Sequence, residues 1–306
     1  MTRLPIILLA LLSIQAIAAQ EISYALAPIK VAEDTYVVRG NDAEINTING
    51  GNIANTGFIA TSKCTIVFDT GPSKLYGQEL LKAIKNISSK PICLVLNSHF
   101  HPDHFLGNAA FEKSSLKALG KTTQQIGRHG EHFRSNYYEA LGIWMRDTEL
   151  IPPTEITKKQ FEIGGHQLSI LPFSGHSGAD LVLFDKTTSV LFAGDLVFHN
   201  RAPATAHTPG IAWWLNDLEK LKLLNTETIV PGHGPVAHAT EAISSTSTYL
   251  TWLDQLMKKS ATEGLEILDI IETDIPEYLD NQKMIRYEIS RSAIHLYPKY
   301  EDAIFE

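Results

Sequence analysis

His99, His101, Asp103 and His104 fall within one short stretch, Asn97-Ser98-His99-Phe100-His101-Pro102-Asp103-His104. Three imidazoles and a carboxylate this close together offer the nitrogen and oxygen donors that a borderline-soft cation such as zinc accepts. The spacing supports that use. His99 and His101 lie two apart, so an extended segment turns both rings to one side. Asp103 and His104 follow Pro102, past the bend, and can turn toward a second point nearby.

A strand and a helix are needed to position these groups. Ile92–Leu96 is an apolar run that reads as a buried strand, and Asn108–Ala118 is predicted as a helix with Asn108 as its N-cap. The donors then occupy a strand-to-helix loop, where a rigid sheet anchors backbone that can bend to a ligand. Other predicted strands end in similar groups. Cys64–Phe68 leads into Asp69-Thr70-Gly71, Val190–Ala193 into Gly194-Asp195, and Thr228–Val230 into Pro231-Gly232-His233. Pro72 starts a helix to about Ile87 with Leu75, Leu80, Leu81 and Ile84 as its stripe. Gln124–Arg146 is predicted as an amphipathic helix that leans over the cleft, and Trp213–Leu224 as another. Phe161–Pro172 reads as a hairpin around Gly164-Gly165. Residues 20–30 read as a loose arm, and the region after Ala239 as helices with packing periodicity. These patterns alone give an α/β fold class.

The HFHPDH stretch resembles the H-x-H-x-D-H motif of metallo-β-lactamase-fold hydrolases. Gly175-His176-Ser177-Gly178 resembles the second histidine loop of that family, Gly194-Asp195 its bridging aspartate, and Pro231-Gly232-His233-Gly234 its last histidine loop. Order and broad spacing agree from about Tyr36 to Val236. The resemblance implies a four-layer αββα sandwich over residues 28–238, with a C-terminal helical extension, 239–306, packed on the same domain. It also implies two zinc ions per chain. His99, His101 and His176 would hold the first, Asp103, His104 and His233 the second, and Asp195 would bridge them. Asp69 would support the metal loop rather than bind metal. In that arrangement a water between the cations loses a proton near neutral pH, and the hydroxide attacks a small ester, thioester or lactone-type substrate. Asp103 has the catalytic role of orienting the nucleophile. Activity is expected to fall on acidification, as the ligands protonate.

Asp195 resembles the aspartate of glyoxalase II and other dinuclear hydrolases, where β-lactamases of this fold usually carry Cys or Ser. His101 stands where the flavo-diiron branch has Glu. The alternatives are β-lactam hydrolysis, a non-hydrolytic accessory protein that binds metal or a quinone, and an iron-dependent redox enzyme. His199-Asn200-Arg201, Ala202-Pro203 and Trp213-Trp214 resemble the quinoprotein relay system zinc metallohydrolases. That narrower resemblance implies export and association with an exported quinoprotein dehydrogenase system. His199 and Arg201 are candidates for binding a substrate carboxylate, or for hydrogen-bond support of the site. His129 and His132 read as exposed helix polars, His207 as loop surface, and His166, His238 and His295 as structural or solvated.

The chain has 306 residues, 44% of them apolar and 20% charged, enough for one large α/β domain. A formal charge of −8 disfavours a nucleic-acid partner and leaves a small-molecule substrate. Arg3, the apolar run Leu4–Leu12 and Ala16-Ile17-Ala18 read as a secretory signal peptide over residues 1–18. The expected mature protein is periplasmic or secreted, with no stable membrane insertion after cleavage. The sole cysteines, Cys64 and Cys93, fall on predicted neighbouring strands, either bonded or as two free thiols, and neither lies in a metal motif.

Overall fold

The computed structural model describes residues 22–304. The leader read over residues 1–18 lies outside them. In the first sheet β1 (Ile29–Ala32), β2 (Thr35–Val38), β3 (Thr56–Ala60) and β4 (Thr65–Phe68) run antiparallel in sequence order. The parallel strands β5 (Ile92–Leu96), β6 (Leu116–Ala118) and β7 (Thr154–Glu155) complete it. Helices α1 (Lys74–Ile87), α2 (Pro102–Phe105) and α3 (Gly120–Leu141) belong to this half. The second sheet holds β8 (Gln160–Ile163), β9 (His166–Phe173), β10 (Asp180–Asp185), β11 (Val190–Phe198), β12 (Thr228–His233) and β13 (Ala237–His238). Helices α4 (Ile211–Lys222), α5 (Ala239–Glu263), α6 (Ile267–Ile271), α7 (Ile285–His295) and α8 (Tyr297–Asp302) follow or interrupt it.

Side-chain alternation makes the layers. On β4, Ile66 and Phe68 face the core between the sheets, while Val67 faces α1. Phe192, Leu181 and Leu183 of the second sheet meet Ile66 and Phe68 across that core. Val67, Phe58 and Val95 pack on Tyr76, Leu80 and Ile84 of α1. On the far side, Val182 and Leu191 pack with Trp214 and Leu218 of α4 and with Tyr249 and Leu253 of α5. The result is an αββα sandwich, and α7 joins the outer core of the second sheet through Ile289 and Ala293. Every residue of β10 and β11 is buried, as their near-continuous apolar runs require.

Four local expectations change. Residues 22–30 are no loose arm: the Tyr24 hydroxyl donates to the Gly50 carbonyl (2.8 Å), and its ring packs against Tyr76 and Trp144. Asn108–Ala118 is not one helix. It divides into a 3₁₀ turn over Leu106–Ala110, another over Lys113–Ser115, and strand β6. Buried Asn108 is therefore no N-cap; its amide instead exchanges hydrogen bonds with Asn97 (2.8 and 3.0 Å) and ties the metal loop to the sheet. The helix after Pro72 begins at Lys74, with Ser73 as its cap, and the predicted Gln124–Arg146 helix runs earlier, as α3. Cys64 and Cys93 are joined by a disulfide across β4 and β5, with their Cα atoms 5.8 Å apart.

Candidate metal centre

The parallel pairings β4–β5 and β11–β12 bring several motif loops to one edge of the sandwich. His99 and His101 follow β5, and Asp103 and His104 open α2, with Pro102 at its first turn. His176 lies between β9 and β10. Its turn is held by Asp180, which accepts hydrogen bonds from the backbone amides of His176 (3.0 Å) and Ser177 (3.1 Å). Asp195 sits inside β11, where the pairing with β12 breaks register on either side of Gly194. His233 ends β12, and Gly232 before it lies so close to Asp195 that an added Cβ would meet Asp195 Oδ1 at 2.0 Å. The Asn55 side-chain amide fixes that loop through the carbonyls of Pro231 and Gly234, both at 2.8 Å.

The fold thereby collects all seven expected metal ligands at one place. His99, His101, His176 and Asp195 form one group and Asp103, His104 and His233 another, with ligand atoms in each within 4.8 Å of one another. Asp195 connects them. Its Oδ2 faces His176 Nε2 (3.4 Å) and His99 Nε2 (3.7 Å); its Oδ1 faces His104 Nε2 (3.0 Å) and His233 Nε2 (3.3 Å). Asp103 Oδ2 closes the second group 3.4 Å from His233 Nε2.

The far side of several rings is held, and this aims the near side inward. His104 Nδ1 donates to Asp69 Oδ2 (2.7 Å), and His233 Nδ1 donates to the Ile53 carbonyl (2.9 Å). Asp69 also accepts from the Ser98 amide and hydroxyl, each at 2.7 Å, and Ser98 Oγ lies 2.9 Å from His99 Nδ1. His101 turns Nδ1 toward His176 Nε2 (3.0 Å), while its Nε2 lies 2.7 Å from His207 Nδ1. The Trp214 ring edge lies against the ring of His176, with centroids 4.9 Å apart.

Burial and charge fit this arrangement to cations. Burial holds His99 and His101 well below the ordinary histidine value and lowers His176 to about 3, so these rings are neutral and carry a free lone pair. Burial also pushes His104 down, but the Asp195, Asp103 and Asp69 carboxylates outweigh it and raise His104 well above 6.5. Burial alone would raise Asp195, yet His233, His104 and His99 hold it well below the usual carboxylate range. Buried polar atoms are normally hydrogen-bonded, but His99 Nε2, His104 Nε2 and Asp195 Oδ1 are buried without a hydrogen-bond partner. These are among the atoms that converge on the centre. An inward-facing set of imidazole nitrogens and carboxylate oxygens fits two divalent cations with zinc-type donors.

A cavity of about 280 Å³ opens at the centre, lined by Asp103, Asp195 and His233 together with Tyr137, Arg201 and Arg291. Arg201 reaches it but is buried, with Nη2 3.1 Å from Glu288 Oε1 and Nη1 donating to the Ala202 carbonyl. His199 does not line it. His199 turns Nδ1 to the Pro235 carbonyl (3.1 Å) and borders a separate depression with Asn200 and Glu241. His129 and His132 are exposed on α3. His207, read as loop surface, is exposed yet lines the cavity and contacts His101. Desolvation of its ring and the neighbouring Arg291 cation lower His207 to about 4, which keeps the ring neutral. Nothing around His207 or Arg291 in the sequence marks either residue; only the tertiary fold brings them to the site.

The profile of the Metallo-beta-lactamase superfamily matches residues 49–233. Acyl-coenzyme A thioesterase MBLAC2 of Bos taurus is 25% identical over 66% of this chain and 80% of its own length. Metallo-beta-lactamase IND-1 of Chryseobacterium indologenes is 26% identical over 62% of this chain and 78% of its own. Among solved structures, a metallo-beta-lactamase from Pontibacter korlensis superposes with a TM-score of 0.59 at 20% identity, covering 74% of this chain and 99% of that one. That likeness speaks for the fold.

Proposed function

The chain belongs to the metallo-beta-lactamase superfamily and is a metal-dependent hydrolase, and from that premise we propose an exported, dinuclear zinc enzyme that cleaves small ester, thioester or lactone-type substrates. The observation that carries the dinuclear reading is the split of Asp195, one oxygen toward each group of imidazoles. His99, His101 and His176 would hold one ion, and Asp103, His104 and His233 the other. Bound cations supply charge that polarises a carbonyl and acidifies a water. Asp103 lines the cavity and would orient the attacking water by accepting its hydrogen bond. Asp69 and Ser98 keep the rings of His104 and His99 from rotating, so the site is organised before substrate arrives.

The thioesterase relative supports an acyl substrate, and the lactamase relative keeps β-lactam hydrolysis as the second reading. Export is supported by the leader-like N-terminus and by the Cys64–Cys93 disulfide. Residues 28–238 are taken as the hydrolase domain and 239–306 as helices of the same unit, because α5 and α7 share the outer core of the second sheet. Association with a quinoprotein oxidation system rests on the His199–Arg201 stretch and Trp213-Trp214.

Elemental analysis of protein purified without chelator tests the reading, followed by ester, thioester, lactone and β-lactam assays. About two zinc per chain with acyl-ester turnover is the expected result. One iron per chain with no hydrolysis of the panel would overturn it in favour of redox chemistry. A chromophore that co-purifies, again with no turnover, would favour an accessory role.

A further inference from the structure

Glu288 on α7 is completely buried and faces two arginines at once. Arg201 Nη2 lies 3.1 Å from its Oε1, and Arg291 Nη1 lies 3.2 Å from its Oε2. Two guanidinium groups against one carboxylate leave one positive charge. The two arginines are not equivalent. Arg201 is buried and bonded on two sides. The Arg291 side chain is 35% exposed, lines the cavity over the metal centre, and has no acceptor for Nε or Nη2 among the described residues. Its guanidinium lies 5.6 Å from the centroid of the Tyr287 ring, one turn earlier on α7, a contact that positions the arm without using its N–H groups. Tyr137 from α3 lines the same cavity. Of the acids lining it, Asp103 and Asp195 belong to the metal centre, and Glu44 is exposed at the surface.

We propose that Arg291, braced by Glu288 and Tyr287, receives a carboxylate on the substrate away from the scissile bond, so that the enzyme prefers acyl compounds carrying a second, anionic end. A guanidinium with two free, coplanar donors matches a carboxylate geometrically, and the partly enclosed cavity strengthens the pairing. The proposal rests on the hydrolytic reading of the same centre. It lies outside the region matched by the family profile, since α7 follows residue 233.

The zinc-loaded protein is assayed with mono-p-nitrophenyl esters of succinate, glutarate and adipate against p-nitrophenyl esters of monocarboxylic acids of the same chain length. The wild type is expected to favour the best anionic ester by about tenfold or more in kcat/KM. Arg291→Ala should abolish that preference, read as the ratio of kcat/KM between the anionic and the neutral ester, with the loss falling on KM of the anionic one. Arg291→Lys should restore part of it, because charge is kept and the fork is lost. Arg201 still pairs with Glu288 in both variants, and thermal melts verify the fold. Calorimetry with the free dicarboxylates against the matching monocarboxylates reads the same preference without turnover. A preference that persists in Arg291→Ala, or is missing from the wild type, overturns the subsite and leaves the hydrolase reading intact. An Arg291-dependent preference in calorimetry with no ester cleaved supports the subsite and removes the hydrolase reading.

Discussion

Asp69 accepts a 2.7 Å hydrogen bond from His104 Nδ1 and thereby turns Nε2 of that ring into the metal centre. The same carboxylate accepts from the amide and hydroxyl of Ser98, whose Oγ in turn lies 2.9 Å from His99 Nδ1. One buried acid, outside both ligand groups, thus sets two residues that belong to different groups. Asn in its place must present an amide donor where only acceptors are useful. Asp69→Asn is therefore expected to weaken metal binding by about 10–100-fold, measured by competition with a chromogenic chelator. An unchanged affinity would mean that the ring orientations are set elsewhere.

Asp195 offers no such redundancy. Each oxygen faces a different pair of imidazoles, so neutralising the group would disturb both ligand groups together. Asp195→Asn is expected to bring metal content below two per chain and to lower kcat/KM by at least about 100-fold, beyond the range for lost supporting contacts. Gly232→Ala should reach a similar state by steric means, because its Cβ would fall 2.0 Å from Asp195 Oδ1. Full metal content and activity in both variants would rule out the bridging role.

The parts of this site that were legible in the sequence share one physical reason. Strands β5, β11 and β12 are apolar runs that lead into, or contain, a donor, so local pattern marks both the element and its cargo. Asn108 misled because a good helix cap by type is, in this fold, a buried side chain bonded to Asn97. Tyr24 looked like part of an arm because its partners, Gly50, Tyr76 and Trp144, are all remote in the chain. His207 and Arg291 reach the cavity from a loop and from α7, at positions whose neighbours carry no motif. Such residues become recognisable only when tertiary contacts place them beside His101 and Glu288.

The Cys64–Cys93 bond closes a segment with a sequence separation of 29 that includes all of β4 and α1. Closing a loop of that length in the unfolded chain is worth about 3–4 kcal/mol in the chain-entropy picture. The paired Cys64→Ser, Cys93→Ser variant should lose about that much in urea denaturation, while zinc content stays unchanged because neither sulfur approaches the metal centre. A loss of metal in that variant would show that β4 and β5 need the bond to hold their loops.

His166 and Asp185 form an ion pair at the β9–β10 end of the second sheet, with Nδ1 2.7 Å from Oδ2. The hydrogen bond to Asp185 raises His166 above its ordinary 6.5. Burial alone would raise Asp185, but bonds from His166 and Thr188 outweigh it and bring Asp185 below 3.8. The raised histidine contributes stability that is fully present below pH 6.5 and is lost as pH rises through its folded value. The depressed aspartate contributes stability that is present above pH 3.8 and is lost as pH falls through its own folded value. Between those limits the pair is fully formed. His166→Gln should therefore cost about 1 kcal/mol more at a mildly acidic pH, about 5.5, than at about pH 9, the scale of one net hydrogen bond. Urea denaturation of both proteins at the two pH values reads the difference, and titration of the metal ligands, common to both, cancels. An equal cost at the two values would mean that His166 acts there through packing alone.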